Sequence, residues 1–364
     1  MDSPYSRELE VAFGALQKAA KISRSVLAEA DLGVLAKDDL SPVTIADFAI
    51  QALLTATFHA AFPDDKFVGE ESAAELRENP TLLARVWGHL RRDAGEDEDG
   101  IPDSPEQACE MIDWCGAGVP GGAGSGRVWV FDPIDGTQNF VHGGLYAINV
   151  ALLEDGKQVL SAVGCPNLAL DAQAPVLDSS LDPDGRGCIA FAVRGHGTHV
   201  RSLLAEGSSD ETPITIRTIP QHAETARDLQ SVTSMSALAS GLEDLHAAAA
   251  AQLQMPFPGC NLLPWVLRYV VMGLGLANTT FWVYVSRGRL AKTWDHAGAM
   301  LLFEEVGGKI TDVDGRPIDL TAGRKLSANY GFVAAPGNLH DRVLRTLQDV
   351  VRKDGRIAIA GPGA

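Results

Sequence analysis

The stretch WVFDPIDGTQNFVH, residues 129–142, ends an apolar run on two aspartates three residues apart and then Gly-Thr. A buried strand that delivers Asp132 at its end, with Pro133 fixing the backbone and a turn returning Asp135 beside it, brings two carboxylates and the Ile134 carbonyl together. Oxygen donors of this kind suit Mg²⁺, which prefers octahedral oxygen ligands, keeps several waters and bridges to phosphate. Gly136 and Thr137 then open a helix whose N-terminal N–H groups face an anion held by such a metal. Taken alone, an Asp-x-x-Asp is as well explained by Asp135 capping that helix. Its company is what matters. Glu70 and Glu71 end the run FVGEES, and Asp295 opens a predicted helix in TWDHAGAMLLFEEVGG.

The elements that must carry these groups are partly legible. Leu9, Phe13, Leu16, Ala20 and Leu27 recur at helical spacing over residues 7–30, and a second helix follows SPVT with Ile45, Ala49, Ile50, Leu53, Leu54 and Phe58 before breaking at FPDD. KFVG reads as a short strand. YAINVALL and QVLSAVGCP form a hairpin through EDGK, and GCIAFAVRGHGTHV and ITIRTI add strands. Beyond residue 213 the pattern predicts a helix over 261–277, a strand in TTFWVYV, a helix from Asp295 to Val306, strands KITDV and GFVAAP, and a closing helix over 339–352. Paired helices with hairpins predict an α+β part over 1–212, which holds most of the metal ligands. Alternating strands and helices predict an α/β part over 213–364, which completes the site and the substrate pocket.

Residues 91–105, acidic and punctuated by Gly and Pro, read as a solvated loop, and the Gly-rich 116–126 lacks the strand and Lys-Ser/Thr that a phosphate loop needs. His196 and His199 have ligand spacing but no third soft ligand nearby, so they read as turn residues.

A formal net charge of -17 over 364 residues disfavours nucleic-acid polymers and acidic membranes as partners, yet still allows a phosphorylated small molecule when cations intervene. No apolar run approaches the roughly 18 residues of a membrane span, and neither end carries a targeting pattern, so a cytoplasmic protein is expected. Five cysteines without a C-x-x-C pair fit reduced thiols better than disulfides or structural zinc.

GEES, WVFDPIDGT and WDHAGA, in this order, resemble the three signatures of the lithium-sensitive, metal-dependent phosphomonoesterases of the inositol monophosphatase superfamily. Within it, SPVTIADFAIQALL, FPDDKFVGEES, GCPNL, AVRGHG and KTWDHAG are similar to the 3'(2'),5'-bisphosphate nucleotidase branch, over about residues 8–350. The resemblance implies a layered αβαβα sugar-phosphatase fold and hydrolysis of a small phosphate ester without a covalent intermediate. It implies that Glu70, Asp132 and the Ile134 carbonyl hold one Mg²⁺, that Asp132, Asp135 and Asp295 hold a second, and that a third ion binds at most weakly. Thr137, backed by Asp47, would orient and deprotonate the attacking water. Gly136, Thr137, Arg268 and Asp295 would contact substrate. Adenosine 3',5'-bisphosphate is the leading substrate and an inositol phosphate the alternative. A metal-binding homologue without catalysis would lack a ligand or Thr137, and none is missing; a glycosyltransferase using Asp-x-x-Asp leaves Glu70 and Asp295 unexplained. The oligomeric state is left open.

One departure concerns the pocket beyond the metals. Where the branch carries Ser-Gln-Ala-Lys-Tyr and, on the following strand, an Arg, this chain has Trp265-Val266-Leu267-Arg268-Tyr269 and Trp282. One cation is kept and one is replaced by an aromatic ring. His246 is the candidate for the branch's adenine-stacking His.

Overall fold

The computed structural model of the chain describes residues 3–29, 31–36, 42–94, 100–122, 124–177, 179–204, 216–221, 228–235, 240–260 and 262–359. The chain opens with α1 (Ser6–Leu27), a two-residue ribbon of β1 (Leu35–Ala36) and β2 (Pro42–Val43), and α2 (Ile45–Ala61). There follow β3 (Lys66–Gly69), α3 (Ala74–Glu78), α4 (Pro80–Ala94), α5 (Pro105–Gly116), β4 (Arg127–Asp135) and the five-residue α6 (Thr137–Val141). The sheet continues with β5 (Ala147–Glu154), β6 (Lys157–Cys165), β7 (Cys188–Val193), β8 (Thr198–Ser202) and β9 (Arg217–Thr218). Then come α7 (Glu243–Leu253), α8 (Trp265–Gly273), β10 (Thr280–Trp282), α9 (Ala299–Glu304), β11 (Gly308–Thr311), β12 (Phe332–Pro336) and α10 (His340–Asp354).

Strands β3 to β9 pair in sequence order into a seven-stranded sheet, parallel between β3 and β4 and antiparallel elsewhere. Because successive strand side chains point to opposite faces, β4 and β5 feed two cores. Trp129, Phe131, Ile148, Val150 and Leu152 join the core beneath α1, α2, α4 and α5, while Val128, Val130, Ala147, Ala151 and Leu153 join the core shared with α8 and α9. On the far side of α8 and α9 lies a three-stranded sheet, β10-β12-β11, backed by α7 and α10. The result is five layers, helix, sheet, helix, sheet, helix, as the resemblance implies.

The second sheet is antiparallel at both pairings. The alternation of strands and helices hides this, since β10 and β11 do run the same way across α9 but β12 inserts between them. The boundary expected at 212/213 falls outside the described residues. So do residues 95–99 of the acidic run and Ile214 and Thr215 of the ITIRTI strand; Arg91–Ala94 belong to α4 rather than a loop. Three helices over residues 74–116 carry no expectation from the sequence reading, although Leu82, Val86 and Leu90 are buried at helical spacing. No helix among the described residues is long and apolar enough to cross a membrane.

Candidate active site

The site grows from an irregularity in β4. Following the alternation of Val128 and Val130, Asp132 points to the face that receives the C-terminal half of the chain. Residues three apart on a regular strand would face opposite sides, but the pairing with β5 shifts between Asp132 and Asp135, so that Asp132 faces Asn149 and Asp135 faces Ala147. This inserts one residue, a β-bulge, and both carboxylates come to the same side. The strand thus runs on through Asp135, where the sequence predicts a turn. Asp132 Oδ1 accepts from Ile134 N at 3.1 Å and Asp135 Oδ2 from Val266 N in the first turn of α8 at 2.8 Å. Gly136 follows at φ 89°, a left-handed conformation in which a Cβ would meet Pro264 Cγ at 2.6 Å. Glycine is what lets the chain turn into α6 there.

Asp295 arrives from the other half of the chain. Asn149, opposite Asp132 on β5, donates through Nδ2 to the carbonyls of Trp294 and Ala297, each at 2.8 Å. This pins the WDHAG turn over the strand. Asp295 lies inside that turn and does not open a helix; α9 starts only at Ala299, after Gly298 at φ 81°. Oxygens of Asp132, Asp135 and Asp295 lie within 4.8 Å of one another.

Glu70 lines the same cleft, of about 280 Å³, with Asp132, Ile134, Asp135, Gly136, Thr137 and Asp295. The backbone of the next residue, Glu71, is held by Gln51 of α2, which accepts from Glu71 N at 2.8 Å and donates to Glu71 O at 2.8 Å. Asp47, the third residue of α2, forms a capping box with Thr44: its Oδ2 accepts from Thr44 N and from Thr44 Oγ1, both at 2.7 Å. Its other oxygen, Oδ1, lies 3.5 Å from Thr137 Oγ1, which also reaches the Ile134 carbonyl at 3.1 Å.

Electrostatically the cleft is strained. Burial pushes the Asp132 carboxyl well above its ordinary value, and Glu70, Asp135 and Asp295 push it further. Burial raises Asp135 to about 7, although the Val266 N–H and Arg268 partly offset this. Several close carboxylates in a buried cleft form a hard, all-oxygen donor set, and a divalent cation relieves the repulsion among them. The donor set therefore fits Mg²⁺.

An adjoining cavity of about 180 Å³ shares Gly136, Gln138, Ser240, Trp265 and Arg289 with this cleft and adds Arg268 and Trp282. Arg268 is buried, with its guanidinium carbon 4.3 Å from the Trp265 ring centre and 4.8 Å from that of Trp282. It donates through Nε to Leu263 O at 2.8 Å and through Nη2 to Ser234 Oγ, while Nη1 has no partner among the described residues.

His246 does not serve as a stacking platform. It is fully buried behind Trp282, ring centres 4.7 Å apart, and its Nε2 accepts from Val283 N. His296 likewise lies in the core, stacked on Phe332 at 3.9 Å and bonded to Tyr269. His199 is tied to Thr218 and to the His196 carbonyl. The sequence reading passes over Gln51, Asn149 and Arg289. A single Asn inside the apolar run YAINVALL was the available signal for the second of these.

Fold and cleft fit a hydrolase of phosphoric monoesters, and the family and relatives of the chain bear this out. The chain belongs to the inositol monophosphatase family, whose model it matches over residues 5–352. It is 34% identical over 361 residues to a 3'(2'),5'-bisphosphate nucleotidase of Emericella nidulans, covering 96% of this chain and 99% of the relative. A 3'(2'),5'-bisphosphate nucleotidase of Schizosaccharomyces pombe is 34% identical over 364 residues, covering 96% and 97%. An IMPase of Thermotoga maritima shares the fold at a TM-score of 0.56 and 19% identity, covering 95% of this chain and 99% of that one.

Proposed function

We propose that the chain is a Mg²⁺-dependent 3'(2'),5'-bisphosphate nucleotidase that converts adenosine 3',5'-bisphosphate to AMP and phosphate. The observation that carries the metal-dependent step is the cluster of Asp132, Asp135 and Asp295 beside Glu70. The near full-length likeness to nucleotidases carries the substrate class.

Glu70, Asp132, Asp135, Asp295 and the Ile134 carbonyl would hold two Mg²⁺ ions, and a third at most weakly. Bound there, Mg²⁺ supplies Lewis-acid stabilisation of phosphoryl charge and lowers the pKa of a bound water. The chain's own part is positional. Asp47, with one oxygen fixed by Thr44, accepts the hydroxyl proton of Thr137 through the other, which leaves the Thr137 oxygen free to accept a proton from the attacking water. Gly136 and Thr137 shape the floor under the phosphoryl group, and Asp295 borders the leaving oxygen.

Phosphate release from adenosine 3',5'-bisphosphate tests the reading. It is expected to require Mg²⁺, to stop in EDTA, and to fall in excess Li⁺ relative to a K⁺ control. Release that continues in EDTA would remove the metal mechanism, and an undiminished rate in Li⁺ would remove the lithium sensitivity that the resemblance implies.

Arg268, clasped between two tryptophans, favours a second feature, a narrowed pocket for the substrate's other anionic group. Trp282→Arg would add a second cation there. Since a charge-assisted contact adds about 1.5–3 kcal/mol, kcat/KM for adenosine 3',5'-bisphosphate is expected to rise roughly tenfold or more in this variant. The value for an inositol monophosphate should change far less. An unchanged value for the bisphosphate leaves the ordinary nucleotidase pocket.

A further inference from the structure

Glu70 and Asp295 line the cleft from two walls, the β3 end and the WDHAG turn, and a side chain from a third place in the chain touches the backbone of the first and the Trp294 ring of the second. Arg324 lies in the connection between β11 and β12. Its Nη2 donates to Gly69 O, next to Glu70, at 2.6 Å, with Glu70 O at 3.4 Å; its Nη1 donates to Cys115 O at 2.9 Å and Gly118 O at 3.0 Å. The same guanidinium lies over the ring of Trp294, adjacent to Asp295, at 4.7 Å from its centre.

The backbone around Arg324 is laced to the segment before the WDHAG turn. Thr293 N donates to Arg324 O at 3.0 Å, Thr293 Oγ1 to Gly323 O at 2.7 Å, and Leu326 N to Ala291 O at 2.9 Å. A displacement of either wall must therefore pull on Arg324. The planar fork suits this task, since it offers several donors in fixed directions and a flat face for stacking. Its position at the C-terminal end of α5 adds the attraction of the helix carbonyls for a cation.

Resting on the metal-dependent reading above, we infer that Arg324 is a positioning residue for the metal site: it fixes the separation of Glu70 and Asp295 by clamping the β3 end to the Trp294 turn. It touches neither substrate nor reacting atoms. Its effect should appear in how tightly the carboxylates take up Mg²⁺, because groups that orient ligands alter metal affinity about 10–100-fold when replaced.

The test is calorimetric titration of Mg²⁺ into the EDTA-stripped, dialysed chain, with melting temperature measured alongside. Arg324→Lys keeps the charge but cannot span the Gly69 and Cys115 carbonyls together while lying flat on Trp294. It is expected to weaken Mg²⁺ at least about tenfold. Arg324→Gln, a second variant that removes the charge, should weaken it at least as much. Val351→Ala, a buried site on α10, supplies a variant that lowers the melting temperature without touching either wall and should bind Mg²⁺ like the parent. Arg324→Lys binding Mg²⁺ within twofold of the parent, or losing no more affinity than Val351→Ala, overturns the inference while the parent's own binding upholds the metal-dependent reading. A parent chain that takes up no Mg²⁺ overturns both.

Discussion

Asp135→Asn is expected to abolish turnover and yet, with metal removed, to raise the melting temperature. Asparagine keeps a carbonyl oxygen for the Val266 N–H but contributes no charge to a cation. The loss of one charged ligand removes several kcal/mol of transition-state stabilisation, on the order of a thousandfold in kcat. The gain in stability follows from the direction of the titration. Asp135 has a folded-state value of about 7 against 3.8 when free. As pH climbs between these values the unfolded chain releases its proton first, and the metal-free fold loses stability. Above pH 7 the buried carboxylate is a standing cost that the amide lacks. Melting in EDTA at pH 8 should therefore rise by a few degrees in the variant, whereas saturating Mg²⁺ should restore more stability to the parent. Turnover within threefold of the parent would sink the ligand assignment, and a lower melting point in EDTA would sink the electrostatic argument.

Thr137→Ala should lower kcat by about 10²–10⁴, the usual contribution of a positioned proton acceptor, while Mg²⁺ affinity stays within a few-fold. The distinction comes from geometry. Thr137 Oγ1 reaches Asp47 and the Ile134 carbonyl, which on the proposed reading puts the hydroxyl in the water-orienting chain and not in the carboxylate cluster. Thr137→Ser keeps the hydroxyl and should retain most of the activity. Asp47→Asn should cost nearly as much as Thr137→Ala, and the two together little more, because they act on one proton. A collapse of Mg²⁺ affinity in Thr137→Ala would assign the residue to the metal instead.

The sequence is most informative where a charge interrupts an apolar run. Asp132 and Asp135 at the end of WVF, and Glu70 after FVG, each have a plain structural explanation alone, as a helix cap or an exposed loop charge, and stand out as a set with Asp295. The layered fold follows from the same motifs through resemblance, whereas periodicity alone leaves α4 unread and does not give the strand directions of the second sheet. Asp295 illustrates the limit. A short polar turn and a helix start look alike until Gly298 is known to adopt φ 81°, and a glycine's conformation is not written in its identity. Gln51, Asn149 and Arg324 are harder still, because each grips main-chain groups that every residue possesses. Nothing in the partner's side chain betrays such a contact. The burial of His246 was equally hidden, since it depends on where Trp282 comes to rest.

The bulge that turns Asp132 and Asp135 to one side of the sheet also dictates when the site can come into being. Its two carboxylates sit on a strand synthesised early, whereas Asp295 and the α8 turn that caps Asp135 emerge from the ribosome much later. A nascent chain ending before α8 must hold these charges without the Val266 N–H, and the distant pairing is slow to close. On the reading proposed above, metal uptake would be tied to the last stage of folding. An ion held there would fasten early and late segments together, so its release would become a step on the way to unfolding, and the lifetime of the native chain would depend on free Mg²⁺.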